Sequence, residues 1–296
     1  MQSFGSSAFS ALRRCRRAAG SVRQRRTLVS SSCFASDNTR GVLPEVLDAV
    51  VEANREPSVP SYGSDGVTLA AVEAVRGFFD APNAAVLPLV SGIASDALAI
   101  ASAAGPLNTV YCHRVSHVHL WQCGATAFYT GGAQLRPLEG ADGKICLLEL
   151  EKALAVDAAQ SGAPYAHQPA LLSLTQPTEA GTLYTVEELT VLASLAHEHG
   201  LLVHLDGARL TNAIVALETT PAALTWQAGV DILSFGTTKG GTMAAEAVVV
   251  FDPSVSLCSS SSSISGAGTG GRYALTLEYS RQEINNPSSS TLTTHK

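Results

Sequence analysis

The sequence predicts an α/β layered domain around a mostly parallel sheet. Two observations carry this. Short apolar runs alternate with helix-periodic segments from Ala85 to Phe251. Apolar residues make up 46% of the chain and charged residues 15%, enough for a substantial core. The 296 residues suffice for one large domain or two modest ones.

The elements follow in order. Val42, Leu43, Val46, Leu47 and Val50 share one face of a helix over Gly41–Val51. A turn-rich loop, Pro57–Gly66, contains Ser61-Tyr62-Gly63-Ser64-Asp65. Leu69, Val72, Val75 and Phe79 give helical spacing over Thr68–Phe79. Ala85–Val90 reads as a strand, and Ser91-Gly92-Ile93 turns it into a helix from about Ala94 to Ala103. Strands are expected at Thr109–Cys112, Gln134–Pro137, Ala170–Leu174, Leu201–Leu205, Ile232–Phe235 and Ala247–Phe251. Helices are expected at Leu147–Ala159, Val186–His199 and Thr211–Leu217, with His117–Cys123 a helix or a loop.

Both ends differ in texture. Residues 1–33 hold seven of the 19 basic residues and no acid, the composition of an organelle transit peptide. Mitochondrion and plastid both remain open, with a cytoplasmic chain as the alternative. The remaining residues carry 12 Lys and Arg against 25 Asp and Glu, a balance that argues against nucleic-acid binding. No run approaches the roughly 18 apolar residues of a spanning helix, so no membrane segment is expected. Residues 254–296 are rich in Ser and Gly, with serines at all positions 259–263, and are expected to be disordered. The domain is therefore expected over 34–253. The six cysteines, at 15, 33, 112, 123, 146 and 258, show no CxxC pair and no metal-ligand spacing.

The chemistry concentrates in Val203-His204-Leu205-Asp206-Gly207-Ala208-Arg209 and Ser234-Phe235-Gly236-Thr237-Thr238-Lys239. Two apolar runs deliver an aspartate and a lysine to their ends. A lysine that forms a Schiff base, with an aspartate that holds a protonated pyridine nitrogen, is the pairing a pyridoxal phosphate site needs. The plain alternatives are a surface lysine and an N-cap aspartate. The residues between 34 and 253 hold three lysines, 144, 152 and 239. The first sits in a Gly-rich turn and the second on a polar helix face. Gly92, Ile93 and Ala94 open a helix straight after a strand, where backbone N–H groups can bind phosphate.

With these motifs the chain resembles the L-threonine aldolase and aromatic amino acid β-eliminating lyase group of fold-type I pyridoxal phosphate enzymes. The resemblance runs from about Phe34 to Pro253. It implies a three-layer α/β/α large domain of the aspartate aminotransferase-like kind, with the smaller C-terminal domain absent or degenerate. It implies Lys239 as the cofactor lysine, Asp206 on the ring nitrogen, and Arg209 gripping the substrate carboxylate or the cofactor. His117, in Val115-Ser116-His117-Val118, matches the histidine that stacks on the cofactor ring, and is expected to act, directly or through a water it orders, as the base for the substrate hydroxyl. His113 and His119 flank it. Gly92 and Ile93 match the phosphate cradle, which is often Gly-Thr in the family, and Ser234 or Thr237 is expected to replace the lost hydroxyl. Tyr62, Asp37 and Gln176 match positions near the substrate. Glu179 and Thr182 are similar to a family loop, with no role assigned. The implied reaction is retro-aldol cleavage of a β-hydroxy amino acid to glycine and an aldehyde, in a homodimer or homotetramer. The alternatives are a non-catalytic cofactor-binding remnant, and a β-eliminating lyase or aminotransferase on the same fold.

Overall fold

A computed structural model describes residues 36–55, 58–160, 162–163 and 165–254. The expected transit peptide, 1–33, and all but the first residue of the Ser/Gly-rich segment lie outside these residues. The chain divides into two units, Met1–Thr39 and Arg40–Lys296. The described part of the first is a short 3-10 turn, Asp37–Thr39.

The second unit is built on one seven-stranded sheet. Its strands are β1 (Ala85–Leu89), β2 (Asn108–His113), β3 (Gln134–Leu138), β4 (Gln168–Thr175), β5 (Leu202–Gly207), β6 (Ile232–Gly236) and β7 (Glu246–Val250). The order across the sheet is β1-β7-β6-β5-β4-β2-β3. Neighbours from β3 to β6 are parallel, and β7 runs antiparallel between β1 and β6. The mostly parallel sheet expected from sequence is therefore present. Every expected strand forms, within one or two residues at each end. Pro88 sits inside β1, which is tolerated because β1 is an edge strand.

Helices cover both faces. They are α1 (Pro44–Ala53), α2 (Gly66–Phe78), α3 (Gly92–Ala103), α4 (His117–Leu120), α5 (Ala125–Tyr129), α6 (Leu147–Ala158), α7 (Val186–Glu198) and α8 (Leu210–Ala216). Strand side chains alternate between faces, so one sheet feeds two cores. Tyr111, Leu172, Leu174, Leu205 and Leu233 point to the larger core, with Leu150 and Leu154 of α6, Leu189 and Leu192 of α7, and Leu210 of α8. Val110, Cys112, Leu171 and Ile232 point the other way, onto Ala99 and Ile100 of α3 and Val118 of α4.

Local chemistry fixes the ends of several helices. Asp65 caps α2 by accepting the Thr68 N–H at 2.8 Å. Thr185 and Glu188 form a reciprocal capping box on α7. Helix α5 was not expected from sequence. Its five residues, Ala-Thr-Ala-Phe-Tyr, are too few to show a helical period. Helices α1 and α2 hold no buried residue, and the apolar face read from the sequence leaves Leu43, Leu47, Val50 and Leu69 exposed.

Candidate active site

A pocket opens at the carboxyl ends of β4, β5 and β6, where ligands of open α/β sheets bind. His117, Thr175, Pro177, Glu179, Asp206, Ala208, Arg209 and Lys239 line it. Thus three separate stretches of sequence, carrying His117, Asp206 with Arg209, and Lys239, meet in one pocket.

Each is aimed by its element. Asp206 is the penultimate residue of the buried strand β5 and is 7% exposed. Its Oδ1 accepts the Ala208 N–H at 3.0 Å. The following helix, α8, takes Arg209 as its N-cap, so the N-cap alternative for Asp206 is not what forms. Arg209 and Ala208 follow directly and reach the pocket wall. Lys239 sits in a 3-10 turn, Thr238–Gly240, at the end of fully buried β6, and is itself half-buried. His117 opens α4 and is half-buried. Burial pushes its pKa below the ordinary histidine value. Asp206 pulls it up, and Lys239 and Arg209 push it down.

The structure adds residues that the sequence reading left without a role. Glu179 sits in the loop between β4 and α7, which Thr178 and Thr182 fasten: the Thr178 N–H donates to the Thr182 carbonyl at 3.0 Å, and their hydroxyls pair at 2.7 Å. The Glu179 carboxylate accepts the His117 backbone N–H and lines the pocket. As a whole residue it is exposed, but burial of the carboxyl group is the largest influence on it and raises its pKa. Glu246 starts β7 and accepts the Thr238 hydroxyl at 2.6 Å. Burial raises its pKa, and the Thr238 hydrogen bond and Lys239 lower it.

Behind the pocket lies a buried polar network. Ser173 Oγ meets His204 Nδ1 at 3.0 Å, and His204 Nε2 meets Ser234 Oγ at 2.9 Å. Asp96 Oδ1 lies 3.7 Å from the same nitrogen, and Gln122 Nε2 donates to Asp96 Oδ2 at 2.6 Å. His204 is fully buried, which lowers its pKa to about 3 and keeps the ring neutral. Burial, then the Asp206 charge, raise Asp96 well above the ordinary carboxylate range. Sequence could have flagged His204 and Asp96 only as polar residues inside apolar elements.

Other expected contributors are placed elsewhere. The Ser234 hydroxyl is turned into the buried network. Thr237 Oγ1 donates to the Ala245 carbonyl at 2.9 Å and pairs with Thr242 at 2.8 Å. Gln176 is fully buried, and both ends of its amide hold the Tyr184 backbone, at 2.8 and 3.0 Å. Tyr62 is 90% exposed and does not line the pocket. Asp37 falls in the first unit. Gly92 and Ile93 form the first turn of α3, and Ser91 makes no side-chain cap there. A Cβ on Gly92 would meet nothing within 4 Å except the Glu246 carboxylate.

Residues 34–282 match the beta-eliminating lyase family. The chain belongs to that family. The match continues past Pro253, beyond the stretch that carries the motif resemblance. Among its relatives, the low specificity L-threonine aldolase of Pseudomonas aeruginosa is 36% identical over 219 residues, covering 74% of this chain and 62% of the relative. The Saccharomyces cerevisiae enzyme of the same description is 30% identical over 189 residues, covering 63% and 46%. The structure of Leishmania major threonine aldolase superposes with a TM-score of 0.67 at 27% identity, over 74% of this chain and 63% of that one. The chain therefore spans about 62% of the length of the bacterial relative.

Proposed function

We propose that this chain binds pyridoxal phosphate and cleaves the Cα–Cβ bond of a β-hydroxy amino acid, such as threonine or allo-threonine, to glycine and an aldehyde. The observation that carries the reading is the meeting of Lys239, Asp206, Arg209 and His117 in one pocket. The motif resemblance implies pyridoxal phosphate, and the residues present fit that group. Lys239 supplies the amine, Asp206 a buried carboxylate for a ring N–H, and His117 an imidazole to lie against the ring. The uncapped first turn of α3 at Gly92 and Ile93 supplies N–H groups for the phosphate. When bound, the cofactor supplies an electron sink for the charge left at Cα.

The chain's own residues then orient the substrate and handle its protons. The Arg209 guanidinium suits a carboxylate, with two parallel N–H bonds. Asp206 would accept a hydrogen bond from the ring N–H and so favour the protonated nitrogen. The pocket wall offers two groups for the β-hydroxyl proton: His117, directly or through a water it orders, and the Glu179 carboxylate, whose raised pKa suits a base. The test is the full chain with cofactor and threonine. Glycine and acetaldehyde are expected, and their loss in Lys239→Ala.

The alternative reading is a cofactor-binding protein without turnover. A borohydride-sensitive absorption band with no glycine released would select it. Pyruvate release, or transfer of the amino group to a keto acid, would select a β-eliminating lyase or an aminotransferase instead. We further assign the acid-free, arginine-rich segment 1–33 to organelle import, which a reporter fused behind it would test. The exposed apolar side chains of α1 and α2 support assembly as a homodimer or homotetramer.

A further inference from the structure

Gln122 lies between α4 and α5, is 3% exposed, and sits behind His117. Three neighbours set its amide. The Thr126 hydroxyl donates to Oε1 at 3.4 Å. The Nε2 group donates to Asp96 Oδ2 at 2.6 Å and lies 3.3 Å from His117 Nδ1. A carboxamide nitrogen has two hydrogens and accepts nothing. With one hydrogen on Asp96, the other faces the imidazole. A ring nitrogen that receives a hydrogen bond carries no proton of its own. Asp96 comes from α3 and is buried, so Gln122 cannot exchange this partner for water.

We propose that Gln122 is a positioning residue that fixes His117 in its neutral Nε2–H tautomer, so that the ring offers the pocket a hydrogen-bond donor rather than a base. His117 lines the pocket with Nδ1 turned back to Gln122, which leaves Nε2 as its working nitrogen. The other groups around it are Asp206, Lys239, Arg209 and, through the backbone, Glu179. None of these displaces the amide from Nδ1. The proposal deepens the reading above and rests on it for the ring's task. It removes His117 as the direct acceptor of the β-hydroxyl proton and leaves that place to Glu179. It also explains why an amide, and not a carboxylate, stands behind the ring: a carboxylate would accept from Nδ1–H and reverse the tautomer.

The test reads the tautomer itself. The full chain is labelled with 15N-histidine, and long-range 1H–15N spectra are recorded without cofactor. The His117 signals are assigned by their loss in His117→Gln. The expected wild-type spectrum has a bare-nitrogen shift at Nδ1 and an N–H shift at Nε2. In Gln122→Glu the N–H signature moves to Nδ1. In Gln122→Met both tautomers appear. If Gln122→Glu fails to fold beside Asp96, the methionine variant decides alone. An N–H signature on Nδ1 in the wild type, mixed tautomers there, or an unchanged spectrum in Gln122→Met would overturn the proposal. Neither cofactor nor turnover is needed. A failed aldolase assay therefore leaves the tautomer result standing, and the converse holds too.

Discussion

Asp96 and Asp206 are two buried carboxylates, one behind the pocket and one in its wall, and burial together with the Asp206 charge raises the pKa of Asp96. Asp96 has a raised pKa in the folded chain. A raised carboxylate pKa contributes stability below the unfolded value of about 3.9, and that stability is lost as pH rises. Asp96→Asn removes the ionisable group and keeps an oxygen for Gln122 Nε2. We predict that the variant melts higher than wild type at pH 8, and that the gap narrows toward pH 4. Melting curves at both pH values check this, and an equal or lower melting temperature at pH 8 would count against it. His204 has the opposite sign. Its pKa is lowered, so the stability it contributes is complete above about pH 6.5 and declines as pH falls toward 3. At this scale the sequence displayed Asp206, Arg209, Lys239 and His117, because each follows an apolar run or fits a motif. Gln122, Asp96 and Glu246 were not legible. Their importance arises from contacts between α3, the segment between α4 and α5, and the strand ends, which no local pattern encodes.

The strands were legible as elements because strands buried on both faces read as short continuous apolar runs, as in Val110-Tyr111-Cys112, whose side chains feed both cores. Short helices were not, because α4 and α5 span only four and five residues. The end of β6 shows how tightly elements are matched at the pocket. A Cβ on Gly236 would lie 2.6 Å from the Glu246 carboxylate and 2.9 Å from Ala208 Cα. The first could move; the second is backbone beside Asp206. Gly236→Ala is therefore expected to shift the turn that carries Ala208 and Arg209 and to cost about 1–3 kcal/mol. Denaturant titration measures the loss, and a stability within about 0.5 kcal/mol of wild type would refute the packing argument. The capping box on α7 gives a contrasting case. Thr185→Ala should cost about 1 kcal/mol without altering cofactor binding, since Thr185 is not in the pocket wall. Cofactor titration alongside melting separates the two effects.

At the scale of the whole molecule, the sheet delivers a lysine and an aspartate from neighbouring strands to one mouth, and α1 and α2 leave apolar side chains exposed. If the chain assembles through that surface, sedimentation will report a multiple of 30.6 kDa, and Leu47→Glu with Leu69→Glu will lower it. A 30.6 kDa species in the wild type would contradict this. We propose Lys239 as the cofactor lysine, in a pocket that Asp206 completes. This assignment is tested most directly by the visible spectrum of the full chain mixed with pyridoxal phosphate. A protein-bound band that borohydride bleaches is expected in wild type and is expected to be missing in Lys239→Ala. The same band in Lys239→Ala, or none in a folded wild-type chain, would contradict it.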